Sequence, residues 1–172
     1  MSMTQIAFLR KEDIPTNREI QEIIQKLGYD FKILSSLVKQ IDQNGLECII
    51  NGQQTYFETY IEDSDSAIAE HEADWIKSDI TNQDTAISFI WGADFAAGAC
   101  IGLISLALID YCNALIYYMD DEMKYTREML VIDTPQFLEE LKKQSNIIEN
   151  YKEPINSQNK KSIWNKLKNI FK

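Results

Sequence analysis

The chain has 172 residues, 45% hydrophobic and 26% charged, with 27 acidic against 17 basic side chains and a formal charge of −10. That length suits one domain, or one domain with an appendage, and three prolines and six glycines exclude a collagen-like or low-complexity polymer. Eight tyrosines, seven phenylalanines and three tryptophans exclude global disorder, and the acidic balance argues against a body that grips nucleic-acid phosphates.

In chain order, Ile6 to Arg10 predicts a short apolar strand. Thr16 and Glu19 have the spacing of a capping box. Ile20, Ile23, Ile24 and Leu27 follow at i, i+3, i+4 and i+7, one face of an amphipathic helix. Gly28 is placed to end that helix in the left-handed conformation, and Phe31 to Leu34 predicts a second strand. Asn51-Gly52 lies between Cys48-Ile49-Ile50 and the run from Thr55 to Ile61. It tolerates the two positive φ values of a type I′ turn, which predicts a β-hairpin. In the second arm Tyr56, Glu58 and Tyr60 share one face, the partly solvated one.

Glu62 to Asp84 carries no clear apolar periodicity, although Ala67 to Ile76 allows a short helix. Thr85 to Trp91 predicts a buried strand, and Asp94 caps an apolar helix that runs to Cys112. The uncharged stretch from Phe95 to Ile109 falls short of the roughly 20 apolar residues of a membrane span, so it reads as a core helix. Gly98 and Gly102 give that helix a flat face on which to lie close to a sheet. Ala114 to Met119 predicts a strand, Asp120-Asp121-Glu122 a turn, and Tyr125 to Val131 a returning strand. Thr134-Pro135 places a cap before a proline at the first position of a helix ending near Asn150.

A strand, a helix and a second strand suggest a β-α-β crossover with locally parallel pairing, while the hairpin adds antiparallel pairing. The expected fold class is therefore α+β: a single mixed β-sheet covered on one face by the two central helices, all within residues 1–150. Residues 151–159 read as a linker. Residues 160–172 contain five lysines and no acid, with Ile163, Trp164, Leu167, Ile170 and Phe171 on one stripe of a basic amphipathic C-terminal helix. Such a helix can fold back on the acidic body, dock in a partner's groove, or touch an anionic membrane surface weakly.

Motifs of chemistry are few. His71 is flanked by Glu70 and Glu72, but a metalloprotease helix needs a second His four residues on, where Trp75 stands. On an acidic segment it reads as a solvated residue. There is no Gly-rich phosphate loop after a strand and no G-x-S-x-G elbow, and nothing in the local spacing builds a Ser-His or Cys-His pair. Asp120, Asp121 and Glu122 offer oxygen ligands to a hard cation and so an alternative reading as a metal-assisted hydrolase, but a polar turn explains them without a ligand. No cofactor is expected. Cys48, Cys100 and Cys112 fit no zinc pattern and sit in or beside apolar runs, as buried thiols do. Together with a start, Met1 to Arg10, that lacks the features of a secretory signal, they imply a reducing, cytoplasmic setting.

The distribution of charge is the most informative feature. From Glu47 to Asp84 there are ten acids and one base, Lys77, a local balance of −9. Without the five tail lysines, residues 1–159 carry −15 of a total −10. Such a stretch either keeps the surface solvated or forms a docking face for a basic protein partner. Tyr56, Tyr60 and Trp75 lie within it and are typical interface anchors. The residues assigned to partner binding are Tyr56, Tyr60, Asp63, Asp65, Glu70, Glu72, Asp74 and Trp75.

With its small size, acidity and α+β pattern, the chain resembles bacterial toxin-immunity proteins, which bind and block a cognate toxin. The segment Ile87-Ser88-Phe89-Ile90-Trp91-Gly92-Ala93-Asp94, the helix to Cys112, and Ala114 to Arg127 give the chain the look of a small bacterial protein, and no residue motif defines the likeness. The resemblance implies a stoichiometric inhibitor whose partner is a basic enzyme such as a nuclease, and assigns no residue a role.

Overall fold

The structure, a computed structural model, describes residues 2–151, with side chains through residue 144. The expected linker and basic C-terminal helix lie outside the described residues.

Local chemistry opens most of the elements. The first strand, β1 (Met3–Leu9), is followed by the capping box, which forms on both sides. The Thr16 hydroxyl accepts from the Glu19 amide at 3.3 Å, and the Glu19 carboxylate accepts from the Thr16 amide at 2.8 Å, starting α1 (Asn17–Lys26). Gly28, at φ +95°, turns the chain into β2 (Phe31–Ile33). Asn51 and Gly52, at φ +50° and +79°, make the hairpin between β3 (Leu46–Ile50) and β4 (Gln53–Asp63). The Asp63 carboxylate then accepts from the Ser66 amide and caps α2 (Ser64–Glu70), which leads through a 3-10 turn, Asp74–Ile76, to β5 (Thr85–Trp91). Asp94 caps α3 (Phe95–Cys112) by accepting from the Ala96 amide at 2.8 Å, and Asn113, at φ +55°, ends it. β6 (Leu115–Tyr118), β7 (Met123–Tyr125) and α4 (Arg127–Tyr151) complete the described chain.

The strands form one sheet in the order β2-β3-β4-β5-β1-β6-β7, giving an α+β fold. Every pairing is antiparallel, which corrects the expected mixed sheet. The crossover from β5 through α3 to β6 is present, and those two strands run the same way. They are not neighbours, because β1 lies between them and pairs antiparallel with both. Residues from the start of the chain thus occupy the slot where a parallel pair was expected.

Helix α3 is the spine of the core. Residues Ala96 to Leu108 are all buried, and the Ser105 hydroxyl accepts from the Gln5 side chain at 2.6 Å. By length and composition this helix could cross a membrane, but 72% of it is buried within the fold. Helix α1 packs beside it on the same side of the sheet. The Gly98–Gly102 face meets α4, not the sheet as expected: a Cβ at Gly98 would stand 2.8 Å from the Phe137 ring, and one at Gly102 would stand 2.5 Å from the Thr134 hydroxyl oxygen.

Cover is not confined to that side. On the opposite face Ile6, Phe8, Ala86 and Tyr117 form a second cluster with Ala67, Ile68, Ala73 and Ile76 of the α2 segment. The acidic connector is therefore part of the core as well as a surface, which its weak periodicity hid. Two boundaries also differ from expectation. Residues 127–131 are helical, not a returning strand, because Thr126 caps α4 by accepting from the Met129 amide at 3.3 Å. Thr134 and Pro135 fall inside that helix. The Val131 carbonyl, deprived of its helical donor by Pro135, belongs to an exposed residue that water can serve.

Two compact units divide inside α4: Met1–Glu139, which holds the sheet and both cores, and Glu140–Lys172. In the second unit the Lys143 ammonium pairs with the Glu140 carboxylate.

Candidate functional site

Strand alternation builds the site. Thr55, Phe57 and Thr59 of β4 point inward and are buried, so Tyr56, Glu58, Tyr60 and Glu62 form a row on the opposite face. Antiparallel register sets Glu47 across from Tyr56, and Ser88 across from Tyr60. Tyr56 and Tyr60 are 52% and 46% exposed, large fractions for aromatic side chains on a sheet. Both are held in place. The Tyr56 ring lies over Gly45, and the Tyr60 hydroxyl donates to Glu58 at 3.2 Å, which raises the phenol above its usual range.

Beside this row lies a cleft of about 390 Å³. Tyr60, Ile61 and Glu62 of β4, Ser88 and Ile90 of β5, Gln43, and Glu70 and His71 at the end of α2 line it. Burial raises the Glu62 carboxyl above its ordinary value, and the nearby Glu70 charge adds to the effect, while His71 opposes it. Ser88 is 2% exposed, and its hydroxyl has no hydrogen-bond partner. The Gln43 amide nitrogen donates to the Ile61 carbonyl at 2.7 Å, leaving its own carbonyl oxygen as an acceptor.

The residues assigned to partner binding divide between places. Tyr56, Tyr60 and Glu70 belong to the hairpin face and its cleft. Asp63 is the α2 cap, and its carboxylate is held below the ordinary range by the Ser66 hydroxyl and amide. Asp65 is exposed in the first turn of α2, and Asp74 forms an ion pair with Lys77 at 2.7 Å. Glu72 is exposed at φ +50° in the turn after α2. Trp75 packs edge-on against Tyr117 at 5.4 Å, beside Lys124, whose ammonium sits 5.7 Å from the same ring and bonds Asp79 at 2.7 Å. Trp75 thus covers the second core and stands apart from the tyrosine row.

Sequence reasoning missed Glu47, Glu58, Glu62 and Ser88 as site residues. For the first three, the alternation in the hairpin held the signal. For Ser88, only the β4–β5 register reveals it.

Ser88, His71 and two carboxylates in one cleft are the residue types of acyl transfer. Among the described residues, however, no hydrogen bond joins Ser88 to His71, or His71 to a carboxylate. The β5 backbone is also engaged in pairing on both edges, so it offers no oxyanion donors. Nor do three His, Cys, Asp or Glu side chains converge to hold a metal ion among the described residues. At the 120–122 turn the Asp120 carboxylate accepts from the Thr4 amide at 2.8 Å, tying the turn to β1. The cleft presents acceptors and a ring, which is the chemistry of binding a cation.

Comparison of the chain with protein-family models, with curated proteins and with solved structures gives no match.

Proposed function

We propose that this protein is a non-enzymatic, acidic interaction protein that binds a basic protein partner through the outer face of the β3–β4 hairpin. One observation carries the reading. Glu47, Glu58, Glu62 and Glu70 surround two exposed, anchored tyrosines, and among the described residues no lysine or arginine pairs with any of the four. Uncompensated acids around rigid aromatic rings suit a partner that brings the cations, speeding encounter and rejecting acidic competitors. The resemblance to toxin-immunity proteins supports a partner among basic toxins, such as nucleases, met in the cytoplasm.

The test pairs the chain with a candidate basic toxin encoded at the same locus. Calorimetry is expected to show a one-to-one complex that weakens as salt is raised. Tyr56→Ala combined with Glu58→Gln is expected to weaken it by about tenfold or more. Unchanged affinity in that variant eliminates the face.

A further inference from the structure

We infer that the cleft between Tyr60, Glu62, Glu70 and Ser88 receives one arginine side chain of the basic partner. This rests on the docking reading above and names the contact that would anchor it.

Several features of the cleft converge on that occupant. Its volume, about 390 Å³, has room for one long side chain. Its lining includes Ser88, 98% buried, whose hydroxyl has no hydrogen-bond partner among the described residues, a defect that an N–H donor entering the cleft removes. Its rim carries Glu62, whose proton affinity is raised by burial and further by the nearby Glu70 charge, and among the described residues no lysine or arginine pairs with either carboxylate. Like charges held together, which His71 offsets only in part, favour a cation that fits between them.

Arginine fits better than the alternatives. Its guanidinium carries five donors in one plane, enough for two carboxylates, the Ser88 hydroxyl and the Gln43 carbonyl at once. It also stacks on an aromatic face, and Tyr60 supplies one as a wall. A lysine ammonium is a strongly hydrated point charge that gains less from a ring and a buried hydroxyl. A bare divalent ion would need three converging ligand side chains, and the described residues offer none such.

The test uses the folded full-length chain, isotopically labelled, titrated with N-acetyl-arginine amide, with the lysine counterpart, and with the neutral citrulline isostere. The arginine probe is expected to shift the amide signals of Tyr60, Glu62, Glu70 and Ser88 with saturation. The lysine probe should bind more weakly, and citrulline should move nothing. Ser88→Ala, which removes only the hydroxyl, should weaken arginine binding about fivefold, and Glu70→Gln on the exposed rim should weaken it without disturbing the fold. Signals that stay still with arginine, or move equally with citrulline, overturn the inference. A partner whose binding falls with Tyr56→Ala but is unmoved by Ser88→Ala leaves the docking face standing and removes the arginine pocket. Partner binding that falls with Ser88→Ala but is unmoved by Tyr56→Ala upholds the arginine pocket and removes Tyr56 from the docking face.

Discussion

Tyr56 rests on Gly45: a Cβ built on that glycine would stand 2.6 Å from the ring's Cε2 and Cζ atoms. Gly45 also sits at φ +76°, and its amide donates to the Thr59 hydroxyl at 3.1 Å, so a buried polar contact fixes the platform beneath the ring. Gly45→Ala is expected to cost about 1–2 kcal/mol from the left-handed backbone alone and to displace Tyr56. Tyr56→Ala should leave stability nearly unchanged while lowering partner affinity. Urea unfolding read beside calorimetric affinity separates the two effects.

Gly98 makes the corresponding point in the core. The Phe137 ring presses where its side chain would be, so Gly98→Ala should destabilise by about 1–2 kcal/mol in spite of alanine's higher helix propensity. Adding Phe137→Leu opens room for the methyl group, and the pair should be less than additive. Thermal unfolding of the two single variants and the double variant measures the coupling.

Stability should respond to pH in two opposite ways. Glu19, Asp63, Asp79 and Asp84 titrate below their ordinary values because amides, hydroxyls or Lys124 hold their charged forms. The stability they contribute is present above the unfolded-state values and is lost as pH falls through the folded ones. Glu62 has the opposite sign: its raised value means that its charge opposes folding above that value, and the penalty disappears on acidification. Glu62→Gln should therefore stabilise the chain at neutral pH by less than about 1 kcal/mol, since the group is partly solvated. The gain should vanish in acid. Urea midpoints of both proteins across the acidic range check the sign.

The thiols should be inert. Cys48 and Cys100 are fully buried, and Cys100 is pushed far above the ordinary thiol range by its contact with Cys48 and by burial. Burial raises the half-buried Cys112 to about 11. A thiol reagent at neutral pH should find Cys112 slowly and the other two only after unfolding. Rapid reaction at all three would show that the α3 core opens readily.

Much of this architecture was legible where the cause was local. The capping box at Thr16, the Asn51-Gly52 turn, strand β5 and helix α3 all announce themselves within a few residues. What stayed hidden depended on distant partners. No neighbour of β5 or β6 in sequence says that β1 lies between them. Nor does anything around Thr134 say that its hydroxyl faces Gly102, so a turn signal at Thr134-Pro135 outweighed the true cap at Thr126. The candidate site shows the same division. Tyr56 and Tyr60 were visible from alternation, whereas Ser88 joins Tyr60 only through the register. Asp63 and Trp75, attractive as surface residues in a charge map, also serve the fold, as a helix cap and as the cover over Tyr117.

The most direct test of the acidic hairpin as a docking face is the affinity of the full chain for a candidate basic toxin encoded at the same locus, at low and at high salt. Wild type is compared with Glu58→Gln/Tyr60→Ala. The account predicts tight binding that weakens with salt, and a large loss in the variant with a flatter salt dependence. Equal affinity for both proteins at every salt concentration, or no complex with either, would contradict it.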